Sequence, residues 1–273
     1  MRKALLLLIT FLLCFCLSSC DKILSMAKSA VTGEEVSKPP EDFIATVEGE
    51  VYTYELYDEY VKIIEYVGED LDVQIPEAIN DKPVRVIGGL CFFEKPVTSV
   101  TIPASVKVIE SSAFYYADAL KSITIPDTVE TIESRAFGWC NSLETVVLGK
   151  GITEIPDFCF NHCISLTSFE IPTTITKVGH RAFSYCEKLE NVIVPESVQS
   201  IGDYAFVNCQ ALKFVTVEND NVSLGIDVFA NSSEVAIVST ENSTSYNYCV
   251  EKQLLWTADI HTQPVRLGET PND

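Results

Sequence analysis

The chain has 273 residues, 47% of them hydrophobic, with 39 Asp and Glu against 19 Lys and Arg and a formal net charge of −20. That length holds a domain with a sizeable core. The acidic balance and the lack of any Lys/Arg cluster exclude a nucleic-acid binder, which must displace phosphate counterions, and equally exclude attraction to an anionic lipid surface.

In chain order, residues 1–19 read as a secretory signal. Arg2 and Lys3 are basic, Ala4 to Leu17 is almost wholly apolar, and Ser18 and Ser19 follow. The apolar stretch is short for a membrane span. Leu17-Ser18-Ser19-Cys20 resembles the lipobox of bacterial lipoproteins. The resemblance implies cleavage before Cys20, lipidation of Cys20, and attachment of the mature protein to a membrane through that lipid only. An ordinary secretory signal is the other reading. Residues 20–42, with small and charged residues and a Pro39-Pro40 pair, read as the lipidated tether.

Residues 43–96 read as an N-terminal cap and a first, irregular repeat. EVYTYELYDEYVKIIEYVG (50–68) alternates like a β-hairpin. Ile75-Pro76 and then Ile87-Gly88-Gly89-Leu90-Cys91-Phe92 outline a repeat unit, interrupted by an insertion around Asn80-Asp81-Lys82-Pro83.

From residue 97 to 234 the chain is periodic. Phe114, Phe137, Phe160, Phe183, Phe206 and Phe229 recur every 23 residues without insertion or loss, giving six repeats. A strict period of this size marks a solenoid, whose units stack on copies of themselves. Within a unit, Leu120, Ile123 and Ile125 outline a strand with one buried face, ended by Pro126. Val129 and Ile132 mark a second short extended stretch. Ser111, Ser134, Asp157 and Asp203 stand where a short helical turn would want an N-cap acceptor. His180 and Ile226 break that pattern, which predicts less well-defined turns there. Leu148-Gly149-Lys150 and Val217-Glu218 replace the usual Ile-Pro in the third and sixth units.

The phrase Leu-x-x-Ile-x-Ile-Pro-x-x-Val-x-x-Ile-Gly-x-x-Ala-Phe-x-x-Cys resembles the BspA-like class of bacterial leucine-rich repeats. The resemblance implies a right-handed leucine-rich-repeat solenoid, mainly β with short helical turns, surface-attached, and in several relatives linked to adhesion. It also implies an N-terminal β-hairpin cap. Residues 235–273 read as the C-terminal cap and tail: VAIV (235–238) is strand-like, and SYNYCVEKQLLW (245–256) puts Tyr246, Cys249, Val250, Gln253 and Leu254 on one helical face, as a cap helix.

Ten cysteines invite a disulfide framework outside the cytoplasm. Cys140, Cys163, Cys186 and Cys209, however, share one repeat position, and Cys91 and Cys159 another. Side chains at equivalent positions of stacked coils run parallel rather than facing, which favours reduced thiols filling a core column. A zinc site at Cys159, His162 and Cys163 would need ligands that converge. Gly-x-Ser-x-Gly, His-Glu-x-x-His, a phosphate-binding glycine loop and Cys-x-x-Cys are all missing from the sequence. No catalytic residue, metal ligand or cofactor is expected.

Two outward columns are candidates for binding. Tyr116, Trp139, His162 and Tyr185, with Asn208, form a mostly aromatic ridge one residue before the cysteine position, and it can either bind a ligand or pack between coils. Thr101, Thr124, Val147, Glu170, Ile193 and Thr216 line the sheet. The expected function is non-covalent recognition of an extracellular protein or glycan at the cell envelope, with adhesion first, glycan capture for nutrient uptake second, and a structural envelope component third.

Overall fold

A computed structural model describes residues 40–232 and 234–266. The signal, Cys20 and most of the tether lie outside the described residues. The chain divides into Met1–Phe43 and Ile44–Asp273, and the hairpin, the repeats and the terminal helix all belong to the second unit.

That unit is a mainly β solenoid. Each coil contributes a three- or four-residue strand to a front sheet, a two-residue strand to a rear sheet, and a run of turns that closes the loop. On the front, Asp72–Gln74, Ser99–Thr101, Ser122–Thr124 and Thr145–Val147 pair in parallel, the repeats in register at a shift of 23 residues. Ser168–Glu170, Asn191–Val194, Phe214–Val217 and Ala236–Val238 continue the face as a second parallel set. In the repeats the middle residue of a strand such as Ser122–Thr124, Thr145–Val147 or Ser168–Glu170 is buried and its neighbours face out, because side chains alternate along a strand; Ala236–Val238, beside the terminal helix, is buried throughout.

The expected hairpin is present: Tyr52–Tyr57 and Val61–Tyr66 pair antiparallel, and Val61–Tyr66 then runs parallel to Lys82–Ile87 at the start of the rear sheet. The insertion after Pro76 is itself a tight hairpin, Ala78–Ile79 against Lys82–Pro83, with Asn80 and Asp81 at φ 51° and 61°. Two left-handed central residues make the turn that matches strand twist, and Asn and Asp tolerate them best.

The third side of the coil differs from the expected short helical turn. Among the described residues no repeat contains a helix. Two residues per coil, four apart, adopt positive φ: Arg135 (58°) and Trp139 (60°), Arg181 (51°) and Tyr185 (62°), and their equivalents. A left-handed residue ends any right-handed helix, so the segment becomes a chain of turns. Alternate N–H groups close turns within the coil, as from Gly138 to the Arg135 carbonyl. The others donate to the next coil: Arg135 to Asp157, Phe137 to Cys159 and Trp139 to Asn161, at 2.7–3.0 Å. The turn face is thus a third hydrogen-bonded ladder.

The proposed N-caps act across coils instead of within them. Asp157 Oδ1 accepts from the His180 N–H (2.8 Å) and Asp203 Oδ1 from the Ile226 N–H (2.7 Å). The two coils that break the sequence pattern are therefore held by the preceding coil's carboxylate, a correction to the expectation of loose turns. Gly179 and Gly225 make room for it: a Cβ there would lie 2.6 and 2.5 Å from the Asp157 and Asp203 Oδ1 atoms.

Inside runs one aromatic column. Phe92, Phe114, Phe137, Phe160, Phe183, Phe206 and Phe229 stack at 4.7–5.7 Å. Tyr66 stacks on one end at 5.4 Å, and Tyr248 meets the other edge-on at 6.2 Å. The seven cysteines of the described residues are buried. Sγ of Cys140, Cys163, Cys186 and Cys209 donates to the carbonyl of a Phe 26 residues earlier, at 3.2–3.3 Å. Ser232 takes over that role in the last coil (2.9 Å), so the column is also a file of weak donors.

Helix α1, Thr244–Lys252, is N-capped by Ser243 and ends at Gln253 in the left-handed region. Its buried side chains are Ser245, Tyr248 and Cys249; Val250 is exposed and Gln253 is the cap, so the apolar face is narrower and turned relative to the sequence reading. The helix ends early, and Leu255–Thr257 adds a parallel strand beside Ala236–Val238.

Both sheets are interrupted at the coil 143–165, on opposite sides of it. The front pairing stops between Thr145–Val147 and Ser168–Glu170, and the rear pairing between Thr131–Ile132 and Glu154–Ile155. Two substitutions meet there. Phe169 occupies a strand position that holds Ile123, Val146 and Val192 in other coils, and its ring wedges against Phe160 (5.2 Å) and Phe183 (4.6 Å). Gly149 replaces proline, and its corner presses on the preceding coil so closely that a Cβ would lie 2.4 Å from the Pro126 carbonyl oxygen. Across this joint the turn-face ladder and the Phe column continue.

Candidate functional site

The turn face brings Tyr116, Trp139, His162 and Tyr185 together as one stack. Ring centroids are 5.1 Å apart for Tyr116–Trp139, 3.8 Å for Trp139–His162 and 4.2 Å for His162–Tyr185, with planes within 26° of parallel. All four residues have φ between 58° and 62°, which projects their side chains from the corner of each coil. Phe93 closes the Tyr116 end edge-on at 6.2 Å. Each ring is half-buried. Both faces of Trp139 and of His162 are covered by neighbours, so the stack shows solvent its edges. His162 Nδ1 lies 3.0 Å from Asn161 Oδ1. Burial pushes its ring below the ordinary histidine value, with the Glu187 carboxylate acting the other way.

Stacking makes this ridge part of the solenoid's own packing. Aromatic pairs contribute about 0.5–1.5 kcal/mol each beyond burial, and Trp139 makes two. Trp139→Ala is therefore expected to destabilise the fold by about 1–3 kcal/mol, read as a fall in the midpoint of denaturant unfolding. A midpoint equal to that of the wild type would show that the ring contributes nothing between coils.

A second column was not singled out from the sequence, although it also recurs every 23 residues: Arg135, Phe158, Arg181 and Tyr204, two residues before each core Phe. The Arg135 guanidinium lies over the Phe158 ring at 4.7 Å and that of Arg181 over Tyr204 at 5.1 Å. Alternation of arginine with aromatic residues at one repeat position was the available signal.

The sheet-face column is exposed except for the half-buried Thr216, and its apolar members Val147 and Ile193 are 58% and 57% exposed. It carries no concentrated chemistry. Lysines on the sheet sides pair with glutamates of the adjacent coil, Lys107–Glu130, Lys177–Glu154 and Lys213–Glu190. Cys159 and Cys163 are buried in the core while His162 is in the outer stack, and among the described residues no group of three His, Cys, Asp or Glu is placed to hold a metal. No helix among the described residues is long and apolar enough to cross a membrane.

The repeat geometry matches a family model of the BspA type leucine rich repeat region in six copies, over residues 74–120, 85–163 and 107–236. The chain belongs to the BspA-type leucine-rich-repeat family. No curated protein matches it in sequence. Among solved structures, the BspA-type chain resembles a T. pallidum leucine-rich-repeat protein with 25% identity and a TM-score of 0.66, over 76% of this chain and 95% of that one. A leucine-rich cell surface protein from Faecalibacterium prausnitzii matches with 23% identity and a TM-score of 0.43, over 76% and 78%. The pneumococcal vaccine antigen PcpA matches with 20% identity and a TM-score of 0.48, over 72% and 50%. Solenoids of this BspA type are scaffolds for binding: they present long faces and lack the enclosed pocket in which catalytic loops converge.

Proposed function

We propose that this BspA-type protein is a lipid-anchored, extracytoplasmic recognition module that holds a protein partner on its turn face, in the service of adhesion. The observation that carries the choice of a protein over a sugar is the ring stack. Sugars are gripped by open aromatic faces, and here the faces of Trp139 and His162 already cover one another. Ring edges and stacked arginines suit the polar groups of a protein surface, where Trp, Tyr and Arg dominate binding energy. In this reading the Tyr52–Tyr66 hairpin and helix α1 act as end caps, shielding the open ends of the Phe column.

The test is to probe the purified full chain against an array of host and bacterial surface proteins and, in parallel, a glycan array. Protein binding without glycan binding is the expected result. Glycan hits alone, lost on Trp139→Ala, would make it a glycan-capture lipoprotein. Silence on both arrays would leave a structural envelope component.

Anchoring is tested separately. Leu17-Ser18-Ser19-Cys20 directly follows the apolar run, so a fatty-acid analogue fed to producing cells should label the wild type and not Cys20→Ala. Equal labelling of the two would sink the lipid anchor. Protease shaving of intact cells then reports whether the anchored protein faces outward.

A further inference from the structure

Cations in this chain fall into two groups. Along the coils lysines form the ion pairs with glutamates, as in Lys107–Glu130, Lys177–Glu154 and Lys213–Glu190. Arg135 and Arg181 have no carboxylate within ion-pair distance, although acidic residues outnumber basic ones about two to one. Acids of the turn face are already committed: Asp157 and Asp203 accept the backbone N–H groups of His180 and Ile226, and Glu133 that of Ser111. Each guanidinium is instead laid on an aromatic ring, Arg135 on Phe158 and Arg181 on Tyr204. Arg181 Nε is buried with no acceptor at all. A charged donor taken from water without a partner is unfavourable, and a counter-charge supplied from outside would relieve it.

We propose that Arg135 and Arg181 form a two-point carboxylate site that takes an acidic segment of a protein partner laid along the turn face. This rests on the recognition reading above and names the chemistry of the ligand. A guanidinium held flat on a ring keeps its planar fork oriented, and that fork matches a carboxylate through paired N–H···O bonds. The two arginines occupy the same repeat position two coils apart, which places them about 10 Å apart at the spacing of neighbouring strands. Carboxylates three residues apart on a polyproline-II segment project from one side at about 9 Å. Beside them, the Trp139–His162–Tyr185 stack presents ring edges, the positive rim of the aromatic quadrupole, so the whole strip favours acceptors. The net charge of −20 supplies discrimination: it repels a densely charged polyanion, whereas a segment with one carboxylate every third residue meets the two arginines with little excess charge.

The probe is a fluorescent Glu-Pro-Pro-Glu-Pro-Pro-Glu peptide, titrated with the full chain and followed by anisotropy, with its Gln-for-Glu analogue and heparin as parallel ligands. The peptide is expected to bind and the analogue not. Arg135→Gln or Arg181→Gln should each weaken binding at least tenfold with unchanged unfolding midpoints, and Arg266→Gln should leave it alone. No peptide binding, binding insensitive to both arginine variants, or equally Arg-dependent binding of heparin would each overturn the site. A protein hit on the array whose binding survives the double arginine variant would overturn the carboxylate site while leaving recognition intact. An array without protein hits would overturn recognition itself.

Discussion

Phe160→Ala is expected to destabilise the protein by about 3–5 kcal/mol, the usual range for emptying a buried phenylalanine site, and to split its unfolding into two transitions. Phe160 is fully buried and stacks on Phe137 and Phe183 at 5.5 Å on either side. It lies in the coil that loses rear pairing to the coil before it and front pairing to the coil after it, so each of its interfaces is held by one sheet ladder only, with the aromatic column and the turn-face ladder. A solenoid is stable as a sum of coil and interface terms, and cooperativity persists only while each interface is strong. Removing the ring at the weakest interface should let the two blocks melt apart. Phe206→Ala, inside a continuous stretch of both ladders, should lose similar stability yet keep one transition. Calorimetry on both variants decides it, and a single transition in Phe160→Ala would mean that the sheet interruption has no energetic weight.

The second large effect is alkaline unfolding driven by the thiol column. Burial pushes the Cys209 thiol up to about 12, and it raises Cys140, Cys159, Cys163 and Cys186 as well. The folded state therefore holds protons that the unfolded chain releases near the ordinary thiol value of about 8.5. The stabilisation is fully present below that value and is lost as pH rises from it towards the folded values. Each thiol adds a slope of up to about 1.4 kcal/mol per pH unit, so five together approach about 7 kcal/mol per pH unit once the unfolded thiols ionise. Against a typical stability of about 5–15 kcal/mol, the protein should unfold within roughly one to two pH units above 9. Cys163→Ser with Cys186→Ser keeps donors of the kind Ser232 already provides and removes two of the five thiols. The fall of stability between pH 9 and 11, measured by urea titration, should then be shallower by up to about 3 kcal/mol per pH unit. An unchanged slope would mean that the thiols ionise equally in both states.

The glycan question shows how a repeat position can be legible while its chemistry is not. Sequence spacing alone put Tyr116, Trp139, His162 and Tyr185 in one file. It could not say whether their rings lay side by side with faces open or face to face, because that depends on the rise between coils and on χ angles set by packing. The observed separation of 3.8 Å between Trp139 and His162 shows the rings face to face, which supports the proposal of a protein partner ahead of a sugar.

What the sequence by itself determined was everything that repeats: the 23-residue period, the inward Leu, Ile, Val and Phe positions, the cysteine file, the hairpin at 50–68 and the family. These follow from side-chain alternation and from identical units burying one another, which leave a mark in every copy. What only the tertiary structure decided lay between copies. Several of the left-handed residues that turn an expected helix into a ladder of turns, such as Arg135, Trp139, Arg181 and Tyr185, are of types with no preference for positive φ; pairing with the next coil holds them there. The carboxylates of Asp157 and Asp203 serve the following coil, and Gly179 and Gly225 matter only because of that approach. The sheet break at Phe169 and the free guanidinium groups of Arg135 and Arg181 belong to the same class. Each depends on what the neighbouring coil presents at a few ångströms, and such through-space relations leave no periodic mark in one dimension.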